Sequence, residues 1–538
     1  MGKDGYDVVL IGAGHNSLAC AAYLAKVGLR VLALEKNAVV GGAAITEEFH
    51  PGFRNSVAAY TVSLLHARVI ADLDLCAHGL KIVERPAANF WPIDARRSLL
   101  MPHGTAARQQ AVAAISERDA QRLPAYDATL ERIAAIVRPL LLRSPPNAGG
   151  GLMELIDAAR LGRPLLGLPL DVKRHLADLF TRSAADFLGH WFEHETVVGA
   201  LAFDGIVGAF AGPYTPGTAY ALLHHAVGEV NGRTGVWGHA VGGMGAISQA
   251  IASAAKAHGV EIRTDAPVAT VLLDGDRAAG VRLTSGEEVP ARAVAAGIAP
   301  KLLFRDLVPE GAVSPELSRR FVGIKSGSAV FRMNVALAEL PDFTCRPGRT
   351  AQDHHGAGIV IGPSVGYLDR AYLDARTQGW SREPVVEMLI PSVLDPTLAP
   401  EGRHVASLFV QYAAPRLPDG RSWDDEKQAF AECVIEAVDA HAPNFKSSII
   451  ATQMLSPTDL ERRFGLPDGD IFHGQLGLDQ LYSTRPLLGY ASYRMPLPGL
   501  YLCGAGAHPG GGVSGLPGRN AALEIIRDFK RKSRGPRR

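Results

Sequence analysis

The stretch Tyr6 to Gly42, YDVVLIGAGHNSLACAAYLAKVGLRVLALEKNAVVGG, limits the fold of this 538-residue chain more than any other. Val8 to Ile11 is a short apolar run of the kind seen in a parallel strand buried on both faces. Gly12-Ala13-Gly14 then reads as a turn into a helix starting near Asn16, rich in small helix formers (Ala19, Ala21, Ala22, Ala25) and ended by Gly28. Arg30 to Leu34 forms a second strand that ends on Glu35. A strand, glycine turn, helix and strand in this order predict a bound dinucleotide. Gly12 allows the tight turn, and Gly14 lets the backbone approach a pyrophosphate lying on the positive helix N-terminus. Ser17 stands at the third fingerprint position, where a small residue lets helix and strand pack closely. Glu35 follows Gly14 by about 20 residues, the spacing at which an acid reaches a ribose 2′-hydroxyl and repels a 2′-phosphate, which argues against NADP.

This unit alone does not choose between NAD and FAD. Gly41-Gly42 offers a second close approach to a diphosphate. At the far C-terminus, Leu500 to Cys503 reads as a strand, Gly504-Ala505-Gly506 as a turn, His508 to Gly518 as a glycine-rich loop and Ala521 to Lys532 as a helix, a second ligand-facing strand, loop and helix. GAGHN at 12–16, GGAA at 41–44, VGGMGAI at 241–247 and GAGAHPGGGVSGLPGRNAA at 504–522 together resemble the phytoene desaturase-like FAD-dependent oxidoreductase family, including its carotenoid ketolase-type members, over nearly the whole chain.

The resemblance implies FAD. The ADP half would lie on the first motif and the flavin against the last. It also implies an α/β fold: a Rossmann-like FAD-binding domain of the glutathione reductase/amine oxidase type with a discontinuous substrate domain of mixed sheet and helices. The expected layout is FAD-binding segments at 1–100, 231–305 and 486–538, a helical substrate region at 101–230, and substrate-domain sheet and helices at 306–485. The cofactor residues expected are Gly12, Ala13, Gly14, His15, Asn16, Ser17, Glu35, Lys36, Gly41, Gly42, Ala43, Val268, Gly504, Ala505, Gly506, Gly512, Gly515, Leu516 and Arg519. Val268 would meet the adenine from a small strand meander spanning Val260 to Ala296.

Composition closes off other classes. A net charge of +1 gives no basic face for nucleic acid. The five cysteines include no CxxC, which excludes a disulfide-reductase dithiol motif and a cysteine zinc cluster, and no helical histidine spacing suggests a metal. With the first strand at Tyr6 and no apolar run of about 18 residues, the expectation is a cytoplasmic protein, or a mitochondrial matrix one in a eukaryote. Peripheral membrane contact stays open. LGRPLLGLPL at 161–170 suits either a membrane-dipping hairpin or a packed helix-to-helix loop, and the tail Arg527 to Arg538 is basic. A homo-oligomer also stays open.

Further elements are expected along the chain: a helix over Val57 to Leu75, short strands at Phe90 to Ile93 and Ser98 to Met101, and a helix over Val172 to His190. Strands at Ser328 to Ala338, Gly358 to Ile361, Val385 to Ile390 and His404 to Tyr412 would wall a substrate site.

His508, in the flavin-facing loop, is the candidate catalytic base, because imidazole titrates near neutral pH. Arg519 and Asn520 would help the last helix stabilise charge on the reduced flavin. His239 and His354-His355 read as ordinary surface or structural residues, and His224-His225 as part of a core-adjacent helix. The favoured function is hydride transfer between a hydrophobic substrate of isoprenoid or carotenoid type and flavin, with the electron acceptor unassigned. Two alternatives stand beside it: an amine-oxidase-like enzyme with an aromatic cage near Tyr490 and Tyr493, and an FAD-binding protein acting through protein partners.

Overall fold

The computed structural model describes residues 5–147, 151–327 and 330–533. Its centre is a seven-stranded sheet built on β1 (Tyr6–Ile11) and β2 (Val31–Leu34). Parallel neighbours run Glu261–Arg263, β2, β1, Glu288–Ala296 and Leu500–Leu502, so the chain's two ends meet in one sheet. Val8, Val9 and Leu10 are buried on both faces, as the apolar run requires. The helix α1 (His15–Ala25) is buried almost all round, which its alanines permit. It packs between the helices Gly245–Ala257 and Leu516–Ser533. Glu288–Ala296 continues antiparallel into Arg277–Leu283 and Val268–Asp274, the expected meander.

A second seven-stranded sheet is mixed, in the order Ile449–Leu455, Val330–Leu337, His404–Gln411, Val385–Leu389, Gly358–Ile361, Asn89–Pro92, Ser98–Met101. Asn89–Pro92 and all but the last residue of Ser98–Met101 lie inside the stretch expected to be the first FAD-binding segment. Residues 1–100 therefore supply both sheets. Ser328 and Ala329, the start of one expected strand, lie outside the described residues, as do residues 534–538 of the basic tail.

Three helix expectations need correction. Val57 to Leu75 is helical only over Ala67–Asp72; the rest is irregular. The expected helix Val172 to His190 breaks at Arg182, because Ser183 caps a new helix, Ala184–Gly189, by accepting from the Asp186 amide. The last helix begins at Leu516, not Ala521. The 161–170 run is the end of a helix, Leu152–Leu166, a short turn, and the start of the next at Leu170, with Leu166 and Leu170 exposed. Among the described residues no helix is long and apolar enough to cross a membrane.

Candidate active site

The glycine turn is built as its sequence demands. Gly12 takes φ +85°, a conformation that residues with a side chain rarely adopt. Gly14, extended at φ −69° and ψ 164°, caps α1. The Gly41 amide donates to the Ala13 carbonyl at 2.8 Å, which fixes the second glycine pair beside the first. The Glu35 carboxylate, buried at the end of β2, accepts from the amides of Ala13 at 2.9 Å and Asn37 at 3.0 Å. Ser17 fills the third position against Gly297, where a Cβ would stand 1.7 Å from the Ser17 hydroxyl. Serine is therefore the packed residue and Gly297 its counterpart.

These groups open onto one cavity with about 2020 Å³ of empty space, counting its open mouth. Gly12, Gly14, His15, Asn16, Ser17, Glu35, Lys36, Gly41, Gly42, Ala43, Val268, Ala505 and Gly512 line it. Three observations fit FAD to this groove. A Cβ built on Gly14 would meet the Gly41 carbonyl oxygen at 3.9 Å and the Gly42 Cα at 4.0 Å, ordinary contact distances, so packing within the protein does not demand a glycine there. His15 Nε2 and Asn16 Oδ1 are buried without a hydrogen-bond partner among the described residues. Such atoms are costly unless a ligand completes them. Glu35 and Val268 stand at one end of the cavity, on the nucleotide sheet and its meander, where an adenosine would lie.

The other end is walled by Leu64, Val207, Ala221, Phe409, Ile471 and Phe472, with Tyr60, Thr61, His224, His225, Trp237 and His473 among them. Tyr60 stacks on Phe409 with centroids 4.7 Å apart and donates to Glu387 at 2.5 Å. Beneath it Arg332 lies 4.8 Å from the ring and donates to the Leu408 carbonyl and the Ser407 hydroxyl. Burial pushes the Arg332 guanidinium down to about 10 and raises the Glu387 carboxyl. Burial also lowers His15 and His225 to about 4 and His224 and His473 to about 3, so all four imidazoles are neutral at pH 7.

Sequence reasoning missed most of this wall. Tyr60, Thr61 and Leu64 lie in the segment read as helix, and His224-His225 was read as part of a core-adjacent helix. A signal was present in the segment Gly205 to Gly217, whose glycines admit bulky neighbours: a Cβ on Gly208 would stand 2.9 Å from Phe472. The wall itself is built by residues far apart in the chain.

Several expected site residues face elsewhere. His508 does not line the cavity. Its Nε2 pairs with the Leu140 carbonyl at 3.0 Å, its own carbonyl accepts from the Tyr493 hydroxyl, and burial holds its imidazole at about 4. It anchors the long helix Glu117–Leu141 and is not placed as a base. Arg519 and Asn520 are likewise turned to that helix's end, donating to the carbonyls of Leu142 and Leu141. Ala13, Gly504, Gly506, Gly515 and Leu516 lie behind the cavity surface. Gly504 and Gly506 are pressed on Gly297 and Pro300, where added Cβ atoms would stand 2.6 and 2.4 Å from neighbouring atoms. Tyr490 and Tyr493 form no cage at the cavity: Tyr490 packs on Phe321 and Tyr493 is fully buried.

The VGGMGAI loop is tied to the second sheet's loops by Asp395, which accepts from the Gly242 amide at 2.6 Å and from His239 at 3.1 Å.

Residues 18–329 match the family of flavin-containing amine oxidoreductases. The chain is 41% identical to pyridine nucleotide-disulfide oxidoreductase domain-containing protein 2 of Rattus norvegicus, over 98% of this chain and 94% of that protein. It is 28% identical to hydroxyneurosporene desaturase of Cereibacter sphaeroides, over 98% and 99%. Putrescine oxidase, solved with putrescine bound, has the same fold at a TM-score of 0.59 and 14% identity, covering 98% of this chain and 99% of that one.

Proposed function

Because the chain belongs to the flavin-containing amine oxidoreductase family and is an FAD-dependent oxidoreductase, we propose that it exchanges a hydride with a hydrophobic, isoprenoid-like substrate. The observation that carries this reading is the cavity wall away from the nucleotide end. Leu64, Val207, Ala221, Phe409, Ile471 and Phe472 present an apolar surface continuous with the cofactor groove. Among the described residues, the carboxylates on the cavity surface are Glu35, Asp306 and no others. Asp306 neighbours Leu307, whose carbonyl accepts from Thr270 in the meander. Both acids therefore stand at the nucleotide end, and an ammonium substrate has no counter-charge at the other.

Bound FAD supplies the hydride acceptor; the chain's residues bind, orient and keep water out. Gly12, Gly14, Gly41 and Gly42 would take the diphosphate, Glu35 the ribose and Val268 the adenine. Arg485, 1% exposed, donates to the carbonyls of Phe472, Gly474, Gln480 and Ala505, which ties the loop carrying Phe472 and His473 to the strand end carrying Ala505. That cross-link holds the substrate wall against the cofactor groove. The neutral imidazoles leave the wall without fixed charge, as an apolar chain requires.

The test is anaerobic bleaching of the bound flavin. Isoprenoid polyenes should bleach it and putrescine or cyclic amines should not. Bleaching by amines alone would replace this reading with the amine-oxidase one, and bleaching by neither would favour a protein acting through partners.

A further inference from the structure

The apolar wall has one polar corner. Thr61 reaches it from the irregular segment after Ser56, Trp237 from the loop before Gly238, and His225 from the end of the helix Ala219–Ala226; all three line the cavity. Behind them Arg85, 3% exposed, lies 5.5 Å from the Trp237 ring and donates to the Thr61 hydroxyl. Its Nη1 has no hydrogen-bond partner among the described residues. The His225 ring packs on the same indole at 5.4 Å, and its Nδ1 is buried without a partner among the described residues. A buried polar atom left unpaired costs about 1–3 kcal/mol, and an apolar side chain would have avoided that cost.

The Thr61 hydroxyl is polarised by the guanidinium it accepts from, which makes it a stronger donor. The carbonyl it faces within the protein, Gly238, is 3.4 Å away, beyond a good hydrogen-bond length. Arg85 itself does not reach the cavity surface, so the corner offers a hydroxyl and a neutral imidazole and no charge.

We propose that this corner binds a neutral oxygen function, a hydroxyl or carbonyl, on an otherwise apolar substrate, with Thr61 donating to that oxygen and the His225 imidazole completing its hydrogen bonding. The inference rests on the hydrophobic-substrate reading and narrows it from hydrocarbons to oxygenated isoprenoids. Trp237 packs against both the Arg85 guanidinium and the His225 imidazole, which links the two sides of the corner.

The experiment titrates flavin-loaded protein anaerobically with geranylgeraniol, geranylgeranoic acid and the hydrocarbon of the same chain, following the absorbance of the bound flavin. The alcohol should bind about tenfold more tightly than the hydrocarbon, the worth of one well-made hydrogen bond. Thr61→Val and His225→Phe should each cut that preference to below about threefold, and Thr61→Ser should retain it. Equal binding of alcohol and hydrocarbon, a preference that survives in both disabling variants, or tighter binding of the acid overturns the proposal. If the hydrocarbon binds as well as the alcohol, the hydrophobic-substrate reading stands and the polar corner alone is wrong. If none of the three binds, both fall.

Discussion

The two glycine-rich loops of this protein look alike in sequence and use their glycines for opposite purposes. In the N-terminal loop, a Cβ on Gly14 would meet the backbone of Gly41 and Gly42 only at ordinary contact distance, 3.9 and 4.0 Å, so the protein's own packing leaves room for one. In the C-terminal motif, the space is taken by the chain: a Cβ on Gly518, in the first turn of the last helix, would stand 1.9 Å from the Asn16 carbonyl oxygen and 3.0 Å from the Cys20 amide. Gly518 is what allows the last helix to lie against α1. One loop makes way for a cofactor, and the other makes way for protein: Gly504 and Gly506 for Gly297 and Pro300, Gly511 for Phe472, Gly515 for Val69 and Gly518 for α1. Only part of the C-terminal loop, including Ala505, Gly512 and Val513, reaches the cavity. A glycine-rich motif therefore records close approach without saying what approaches.

The comparison breaks most visibly at Gly518. Gly518→Ala should destabilise the fold by about 3 kcal/mol, as overpacking between two rigid helices does, with Tm lowered and flavin lost only as a consequence. Gly14→Ala should do the reverse. Its backbone angles suit alanine, so the flavin-free protein should keep its Tm or gain slightly, while FAD binding weakens by tenfold or more, ~1.4 kcal/mol. Thermal unfolding with and without added FAD separates the two. If Gly14→Ala bound FAD normally, the cofactor reading of that loop would be wrong.

The third glycine loop, VGGMGAI, sharpens the contrast through pH. Burial alone would raise the Asp395 carboxyl, but hydrogen bonds from His239, Thr397 and the Gly242 amide outweigh it and hold the group below the usual carboxylate range. A depressed carboxylate stabilises the fold above its unfolded pKa, about 4, and that stability is lost as pH falls. Asp395→Asn should therefore cost roughly 1–3 kcal/mol at pH 7, with the deficit shrinking below about pH 4, measured as Tm against pH. A deficit independent of pH would show that the carboxylate's charge plays no part. The smallest effect is expected at His508. His508→Gln should lower stability by about 1 kcal/mol and leave the pH dependence of flavin reduction unchanged. A loss of 10²-fold or more, of the size a general base contributes, would put His508 back in the chemistry.

How much was legible depended on how local each signal was. β1, its glycine turn, α1 and Glu35 were readable because a strand, turn and helix sit within reach of one another along the chain. Ser17, imperfect as a fingerprint, proved well placed once Gly297 was seen beside it. The segment Val57 to Leu75 was misread because its apolar residues have helical spacing, yet Tyr60 and Thr61 are held along the cavity by contacts to Phe409 and Arg85, in other parts of the chain. The His508 ring was misplaced for the same reason: nothing nearby in sequence announces the Leu140 carbonyl that orients it.

The sequence by itself determined that a dinucleotide-binding unit opens the chain, that an acid stands where a ribose would be, and that a matching loop returns at the far end. These follow from backbone geometry and side-chain size over short spans. Only the tertiary structure decided which face of each loop meets the cofactor and which meets protein, and which residues wall the substrate. Such choices arise where elements hundreds of residues apart pack at van der Waals distance, as Gly518 does on Asn16 and Tyr60 on Phe409, and no local pattern encodes them.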